Sequence, residues 1–126
     1  MRSFTEIKEE YKGFGYEVVL YETGHRCGYI TVPEKYSDVV AGEYYDNNLD
    51  VHGGITYQEG NVVGFDCIHA GDSVDKAAAY EVFGNPELFT YSDSLDGHVW
   101  KKEEVEAECK SAIDQIIKMH KNKGGN

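Results

Sequence analysis

The sequence predicts one α+β domain over residues 1–126, in which an antiparallel sheet of about four strands carries a long C-terminal helix and a short N-terminal helix. Two pairs of β-branched and aromatic segments, each joined by a turn signal, predict the strands. A long amphipathic pattern near the C-terminus predicts the helix that covers the sheet. The chain is 40% hydrophobic and 28% charged, which is typical of a folded domain.

The N-terminal segment SFTEIKEEYKG predicts a short helix. Ser3 and Glu6 have the spacing of a capping box, in which each side chain bonds a backbone N–H at the helix start. Phe4, Ile7 and Tyr11 then fall on one helical face, and a glycine that could end the helix follows them.

Two hairpins are predicted downstream. The segments GYEVVLYET (15–23) and CGYITVPE (27–34) are joined by the turn-like TGHR, and GGITYQ (53–58) and VVGFDCIH (62–69) flank EGN. The intervening residues 34–51 show no regular period, which predicts a long loop rich in acidic residues and tyrosine.

Two helices are predicted after the hairpins. The segment SVDKAAAYEVFG (73–84) predicts one or two helical turns, and residues 97–121 predict a long helix capped by Ser94 or Asp96. The apolar face of the long helix, at helical spacing, comprises Val105, Cys109, Ala112, Ile113, Ile116 and His120. Residues 122–126 predict a frayed tail.

Charge and cysteine usage limit the partners and the compartment. The formal net charge is −11 and the only arginines are Arg2 and Arg26, so the basic footprint that nucleic acids require is missing. No apolar run has membrane-spanning length, and the opening MRSFTEIKEEYKG lacks the apolar core of a signal peptide. The three cysteines show no CxxC spacing, which favours reduced thiols in the cytoplasm. We therefore expect a small molecule or a protein as the partner, and not a membrane.

Polar side chains converge at the ends of the third and fourth predicted strands. Strand alternation puts Cys67 and His69 on one face and Asp66 on the other. A two-residue turn within 59–61 would bring His52 beside the face of Cys67 and His69, whereas a three-residue turn would bring it beside Asp66. The sequence leaves both registers open.

The two registers imply different chemistry. In the first, imidazole, thiolate and carboxylate groups gather as they do around a divalent metal ion. The candidate ligands are Asp50, His52, Cys67, His69 and Asp72. In the second, Asp66 orients His52 for proton transfer, and the catalytic candidates are His52, Asp66 and His69. Structural alternatives stand beside both, with Cys67 as a core residue and Asp66 as an acceptor of backbone hydrogen bonds.

A binding pocket is the interpretation that we favour for this region, with a nucleotide-type molecule or host signal as the ligand. It would be lined by Tyr29, His52, Gly53, Gly54, Tyr57, Asp66, His69 and Asp72. Adjacent glycines leave backbone open to a ligand, and backbone amides would have to hold any phosphate because arginine is scarce. The alternatives are a small metal-dependent or acid–base hydrolase built on the same residues, and an acidic inhibitor of a host protein that uses loop 34–50 as its surface.

Four segments carry a family resemblance. CGYITVPE (27–34), DVHGGITY (50–57), GFDCIHAGD (64–72) and VEAECKSAIDQI (105–116) resemble a group of small proteins found in phages and prophages. The resemblance covers roughly the middle and the end of the chain and implies a phage or mobile-element setting in the host cytoplasm. It implies a host protein or a small host signal as partner, and no particular activity.

A second resemblance is to calcineurin-like metallophosphoesterases, which use D-x-H, G-D-x-x-D and G-N-H-[D/E] in that order. Here DVH (50–52), GDSVD (71–75) and GNPE (84–87) follow the same order. Pro86 stands where that family has a histidine, and the intervals are too short for the βα units between the motifs. The resemblance implies metal ligands at Asp50, His52, Asp72 and Asn85.

Overall fold

A five-stranded antiparallel sheet carries a long C-terminal helix on one face, which confirms the predicted α+β class. The computed structural model describes residues 1–40, 49–89 and 97–124. The strands are β1 (Ser3–Tyr11), β2 (Phe14–Tyr21), β3 (Arg26–Thr31), β4 (Tyr57–Glu59) and β5 (Val62–Asp66), in the sheet order β1-β2-β3-β5-β4.

Shorter elements complete the fold. A 3₁₀ turn (Glu34–Tyr36) follows β3, and β6 (Asp72–Ser73) pairs in parallel with β7 (His98–Val99). The helices are α1 (Lys76–Phe83), at the place predicted for one or two helical turns, and α2 (Lys102–Asn122). None of the described helices is long and apolar enough to cross a bilayer.

The N-terminal segment is a strand, so the helix predicted there is wrong. β1 runs antiparallel to β2 and contains a bulge between Thr5 and Ile7. The bulge shifts the alternation by one residue, so that Phe4, opposite Leu20, comes to the same face as Ile7 and Tyr11. Ile7 and Tyr11 pack against the core, whereas Phe4 stays exposed. The resulting spacing of apolar residues imitates a helical face, and pairing with β2 outweighs that local pattern.

Both predicted hairpins are present. β2 pairs with β3, and β4 pairs with β5 through the two-residue turn Gly60–Asn61. The φ of Gly60 is 58°, in the left-handed region that two-residue hairpin turns require of their first central residue. β4 begins only at Tyr57, so the preceding residues leave the sheet and turn at Gly53 and Gly54.

The core lies between the sheet and α2. The buried helix residues are Val105, Cys109, Ala112, Ile113 and Ile116, and they meet a cluster of sheet residues that includes Val18, Ile30, Val63 and Phe65. Gly28 of β3 permits this close approach, because a Cβ there would come within 2.6 Å of the Phe65 ring and 2.8 Å of Cys109 Sγ.

α2 begins at Lys102, later than predicted, because the preceding residues form β7. The carboxylate of Glu104 accepts a hydrogen bond from the backbone N–H of Lys101 at 3.0 Å, which satisfies one of the free donors at the helix start. The predicted caps Ser94 and Asp96 lie outside the described residues.

Two further predictions fall partly outside the described residues. The proposed contact loop 34–50 includes residues 41–48, and the proposed tail 122–126 includes residues 125–126, none of which the structure describes. The described ends of the loop contribute core residues, namely Val39, Val40 and Leu49.

Candidate ligand-binding site

A buried carboxylate joins three chain segments at the end of the sheet. Asp72, which is 2% exposed, is the first residue of β6. Its side chain accepts hydrogen bonds from His52 Nε2 at 2.7 Å, the backbone N–H of His69 at 2.8 Å and Trp100 Nε1 at 3.1 Å. We call His52, His69, Asp72 and Trp100 the Asp72 cluster.

Hydrogen bonding keeps Asp72 ionised. Burial alone would raise the pKa of Asp72, but the bonds from His52, His69 and Trp100 outweigh it and hold the pKa below its usual value of 3.8. A carboxylate can only accept, so His52 Nε2 carries the hydrogen in this contact. The other ring nitrogen, Nδ1, has no hydrogen-bonding partner within the described part of the chain. The Trp100 ring packs on His52 with centroids 4.2 Å apart.

His69 stands beside His52, with ring centroids 5.5 Å apart. Its Nε2 lies 3.0 Å from Asp66 Oδ1, an ion-pair distance. The imidazole also rests on Gly53, where a Cβ would overlap it. The sequence predicts that the backbone at Gly53 is open to a ligand. That prediction is wrong, because the His69 ring occupies the space beside Gly53. The N–H of the next residue, Gly54, donates to the Val51 carbonyl.

Asp66 connects the Asp72 cluster to the sheet face that lies opposite α2, which we call the outer face. It is the last residue of β5 and lies opposite Cys27 of β3. Its Oδ2 accepts a hydrogen bond from Thr56 Oγ1 at 3.0 Å, while Oδ1 approaches His69. The side chain is 25% exposed, so it still offers acceptor capacity to solvent or to a ligand.

A cleft of about 320 Å³ opens on the outer face next to Asp66. Its lining includes Tyr21, His25, Cys27, Tyr29, Tyr57 and Asp66. A shallower hollow of about 380 Å³ adjoins it and shares Tyr21, Tyr29 and Tyr57 with it. Together they form what we call the outer-face cleft, and each is as large as a site for a small molecule, for which about 300–1,000 Å³ is usual.

Three tyrosines form the walls of the outer-face cleft. Tyr29 lies over Gly64 of the neighbouring strand, where a Cβ would come within 2.7 Å of the Tyr29 ring. Tyr57 meets Tyr29 edge to face, with centroids 5.4 Å apart and planes at 84°. The Tyr21 and Tyr29 hydroxyls lie 2.6 Å apart. Contacts across neighbouring strands therefore fix the orientation of the walls.

The imidazole and the thiol that line the cleft, those of His25 and Cys27, are uncharged at neutral pH. Burial lowers the pKa of His25 below its usual 6.5, and Thr23 Oγ1 bonds its Nδ1. Burial also raises the pKa of the Cys27 thiol to about 12. Among the titratable side chains named in the cleft lining, Asp66 is therefore the one that brings a charge.

The structure divides the predicted site residues into two groups. Tyr29, Tyr57 and Asp66 line the outer-face cleft, whereas His52, His69 and Asp72 form the adjoining cluster. The two groups meet where Asp66 approaches His69. The turn Gly60–Asn61 is the two-residue register, for which the sequence predicts His52 and His69 as neighbours.

Cys67 and Asp50 do not join these groups. Cys67 is 1% exposed in the core under α2, and burial raises its pKa, which disfavours a thiolate ligand. β5 ends at Asp66, so His69 leaves the face that it was predicted to share with Cys67. Asp50 is exposed, and its backbone N–H and carbonyl bond the Gln115 side chain of α2.

No metal-binding set is assembled in the described ranges, where no three or more His, Cys, Asp and Glu side chains are arranged to hold an ion. The predicted set around Asp72 is divided because Asp50 and Cys67 lie elsewhere. Of the set implied by the metallophosphoesterase resemblance, Asn85 instead bonds Arg2 through its backbone carbonyl.

The predicted site left out Tyr21, His25 and Trp100. Strand alternation in β2 could have found Tyr21, because Glu17 lies opposite Tyr29 and Tyr21 shares the face of Glu17. His25 follows a turn, and Trp100 precedes α2 in a segment without periodicity. Their positions depend on how the loops pack, which the sequence pattern does not specify.

An ion network holds Trp100 in place. The Arg26 guanidinium, 4% exposed, bonds Glu6 at 2.6 and 3.0 Å, Asp75 at 2.8 Å and the Trp100 carbonyl at 2.9 Å. Asp75 also accepts from the Ala78 N–H and so caps α1. The bulged part of β1, the start of α1 and the segment before α2 are thereby tied to one buried cation.

Searches of family models, curated proteins and solved structures found no match for the chain. The function has to be inferred from the side chains themselves, and the resemblance to small phage and prophage proteins stays a prediction.

Proposed function

We propose that this protein binds a small organic molecule in the outer-face cleft, in the corner formed by the Tyr29 and Tyr57 rings and beside the Asp66 carboxylate. One observation carries the proposal: a partly exposed carboxylate stands at the end of an aromatic cleft of about 320 Å³. Small-molecule sites are concave and mostly apolar, with a few placed polar groups that fix orientation. The 320 Å³ part of the outer-face cleft combines these three properties, whereas Ser3, Thr5, Glu17 and Thr31 make the adjoining hollow more polar.

The walls of the cleft are ordered before any ligand arrives. The Tyr29 hydroxyl is within hydrogen-bond distance of Tyr21, and the Tyr57 hydroxyl donates to Glu59 Oε2 at 3.0 Å. Binding costs free energy when flexible side chains must be immobilised, and side chains that are already held avoid that cost. Rigid tyrosines also offer a large apolar area with a polar tip.

The proposal extends to the biological setting. The protein acts as a phage- or prophage-type binding protein in the host cytoplasm, with a small host molecule as its ligand. The motifs CGYITVPE, DVHGGITY and GFDCIHAGD support this setting, as does a chain with a net charge of −11 and three buried, unpaired cysteines.

An NMR titration of the labelled protein with a charge-balanced library of small organic molecules tests the binding proposal. We expect at least one compound class to shift the amide signals of Gly64 and Asp66 saturably. Tyr57→Leu should weaken that binding about tenfold by removing one aromatic wall. The matched control is Tyr80→Leu, at a 55% exposed tyrosine on α1 that should leave affinity unchanged. A library without any compound that shifts the cleft amides would contradict the proposal.

The contact between His52 and Asp72 favours acid–base hydrolysis as a second candidate function. A buried carboxylate that receives the Nε2–H orients the imidazole and makes Nδ1 a proton acceptor. His52→Gln tests this, because the glutamine amide can still donate to Asp72 but cannot act as a base. Hydrolysis of p-nitrophenyl esters should fall about 100-fold, whereas the exposed control His98→Gln should keep the parent rate. Parent hydrolysis no faster than buffer would exclude the candidate.

A further inference from the structure

We propose that the ligand of the outer-face cleft is an organic cation of the methylated or quaternary ammonium type, held in the corner formed by the Tyr29 and Tyr57 rings and beside Asp66. The inference rests on the binding function proposed above and specifies the chemistry of its ligand.

The charges around the cleft favour a cation. Asp66 stands at the end of the cleft, and Glu17 borders the adjoining hollow. None of the described residues that line these two spaces is lysine or arginine. The whole chain carries a formal charge of −11, so its long-range field also attracts cations.

Met1 borders the cleft, so its terminal ammonium is a cationic group close to it. Its charge acts on Glu22, whose pKa is lowered by hydrogen bonds from Arg2 and, to a smaller extent, by this ammonium. The Met1 side chain is largely exposed. The terminal ammonium thus has Glu22 as a carboxylate neighbour.

The aromatic walls have the geometry that attracts a cation. The Tyr29 and Tyr57 planes stand at 84°, so they bound a corner whose two sides are ring faces. Ring faces are negative in their quadrupole, and a cation within about 6 Å of a ring centroid is attracted to them. The contacts of Tyr29 with Gly64 and Tyr21 keep this corner in place without the ligand.

An anionic ligand fits the same cleft poorly. A phosphate would meet the Asp66 carboxylate and would need backbone amides in place of basic side chains. The Gly54 N–H, one of the amides that the sequence offers for this purpose, is already donated to Val51. We therefore favour an organic cation over the nucleotide-type ligand expected from the sequence.

Two probes of the same shape test the effect of the ligand's charge alone. Choline and 3,3-dimethylbutan-1-ol have the same shape, and differ in that the first has a cationic nitrogen where the second has carbon. In NMR titrations of the whole chain, choline should shift the Gly64 and Asp66 amides with an affinity about tenfold higher than that of the alcohol. The preference should shrink when the salt concentration is raised.

Two variants test whether the preference for choline over the alcohol arises in the outer-face cleft. Asp66→Asn removes the charge with little change in shape, and it should lower the affinity for choline about tenfold while leaving that for the alcohol unchanged. Tyr57→Leu keeps apolar volume on a partly exposed strand and should also abolish the preference, even if the first variant is unstable. Tyr80→Leu on α1 is the control, with affinities equal to those of the parent.

The outcomes separate the two proposals. Equal affinities for choline and the alcohol would overturn the cation inference and leave the binding function standing. The same holds if neither probe shifts the cleft amides but another library compound does. A cleft that binds no compound at all would overturn both proposals.

Discussion

The indole Nε1 of Trp100 donates a hydrogen bond to Oδ1 of Asp72 across 3.1 Å, at a carboxylate that is 2% exposed. Trp100 is the only tryptophan in the chain, so its fluorescence reports directly on this contact. The same carboxylate fixes His52 and the backbone of His69. Because His69 approaches Asp66, the Asp72 cluster supports the end of the outer-face cleft as well as the fold.

Asp72→Asn tests the structural importance of this contact. The substitution replaces an ionised acceptor by an amide, which leaves at least one of the three donors poorly paired, and we expect the free energy of unfolding to fall by about 1–3 kcal/mol. Urea titrations followed by Trp100 fluorescence measure it. Asp114→Asn is the control, since that carboxylate forms an exposed ion pair with Lys12, and such pairs contribute little to stability. Equal urea midpoints for Asp72→Asn and the parent would contradict the account.

Stability should depend on pH in the acid range because of Asp72. Its pKa lies below 3.8 in the folded chain, so the unfolded chain takes up the proton first as the pH falls. The contribution is complete above pH 3.8 and is lost as the pH falls through the lower, folded pKa. Unfolding free energies measured between pH 7 and 2 should therefore decline most steeply below that value. The decline should be shallower in Asp72→Asn, and parallel curves for the two proteins would count against the assignment.

His25 should cause a second loss of stability, at a higher pH than the loss caused by Asp72. Burial holds its pKa below 6.5, so the unfolded chain again binds the proton first and stability is lost as the pH falls from 6.5 towards the folded pKa. His25→Gln should remove this part of the pH dependence and leave the steeper acid part in place. An NMR titration of the imidazole gives the folded pKa directly, and a value above 6.5 would reverse the sign and contradict the prediction.

Ile113→Asp should unfold the domain. Ile113 is fully buried between α2 and the sheet, where an unpaired carboxylate has no partner and costs several kcal/mol, on the order of a small domain's whole stability. Ala107→Asp places the same charge on the exposed side of the same helix and should fold like the parent. Circular dichroism melts compare the two, and a cooperative Ile113→Asp melt at the parent temperature would remove Ile113 from the core.

The three thiols should react slowly in the native chain. All are buried, and burial raises the pKa of Cys27 and Cys109 to about 12, so little reactive thiolate exists at neutral pH. Labelling with a chromogenic disulfide reagent should require unfolding, and in urea all three should react at the rate of a free thiol. Fast labelling of Cys67 in the native state would instead identify it as accessible.

The sequence predicts an element correctly where the local pattern of its residues agrees with the way in which the element packs in the fold. α2 and the β2–β3 hairpin follow from apolar spacing and a turn signal, and the structure keeps both. β1 could not be predicted, because the bulge between Thr5 and Ile7 makes a strand look like a helical face. The sequence does not show that β2 offers an edge for this segment to pair with.

The site could be predicted only as far as the strands extend. Tyr29, Tyr57 and Asp66 follow from the hairpin register. His52 and His69 lie beyond the paired parts of β4 and β5, so the packing of loops brings their rings to 5.5 Å from each other. The metal set was wrong at Cys67, because β5 ends at Asp66 and His69 turns away from the Cys67 face. Asp72 is central because three loops come together around it. The periodicity of a sequence does not predict which loops contact one another.

The most direct test of the central claim, that the outer-face cleft is the binding site, is to measure contacts between ligand and protein protons. Intermolecular NOEs should be recorded for the tightest compound of the charge-balanced library. We predict NOEs from the ligand to the ring protons of Tyr29 and Tyr57, in the corner beside Asp66. NOEs confined to the separate cavity of about 440 Å³ near Val32, Gln58 and Asn61 would contradict the claim.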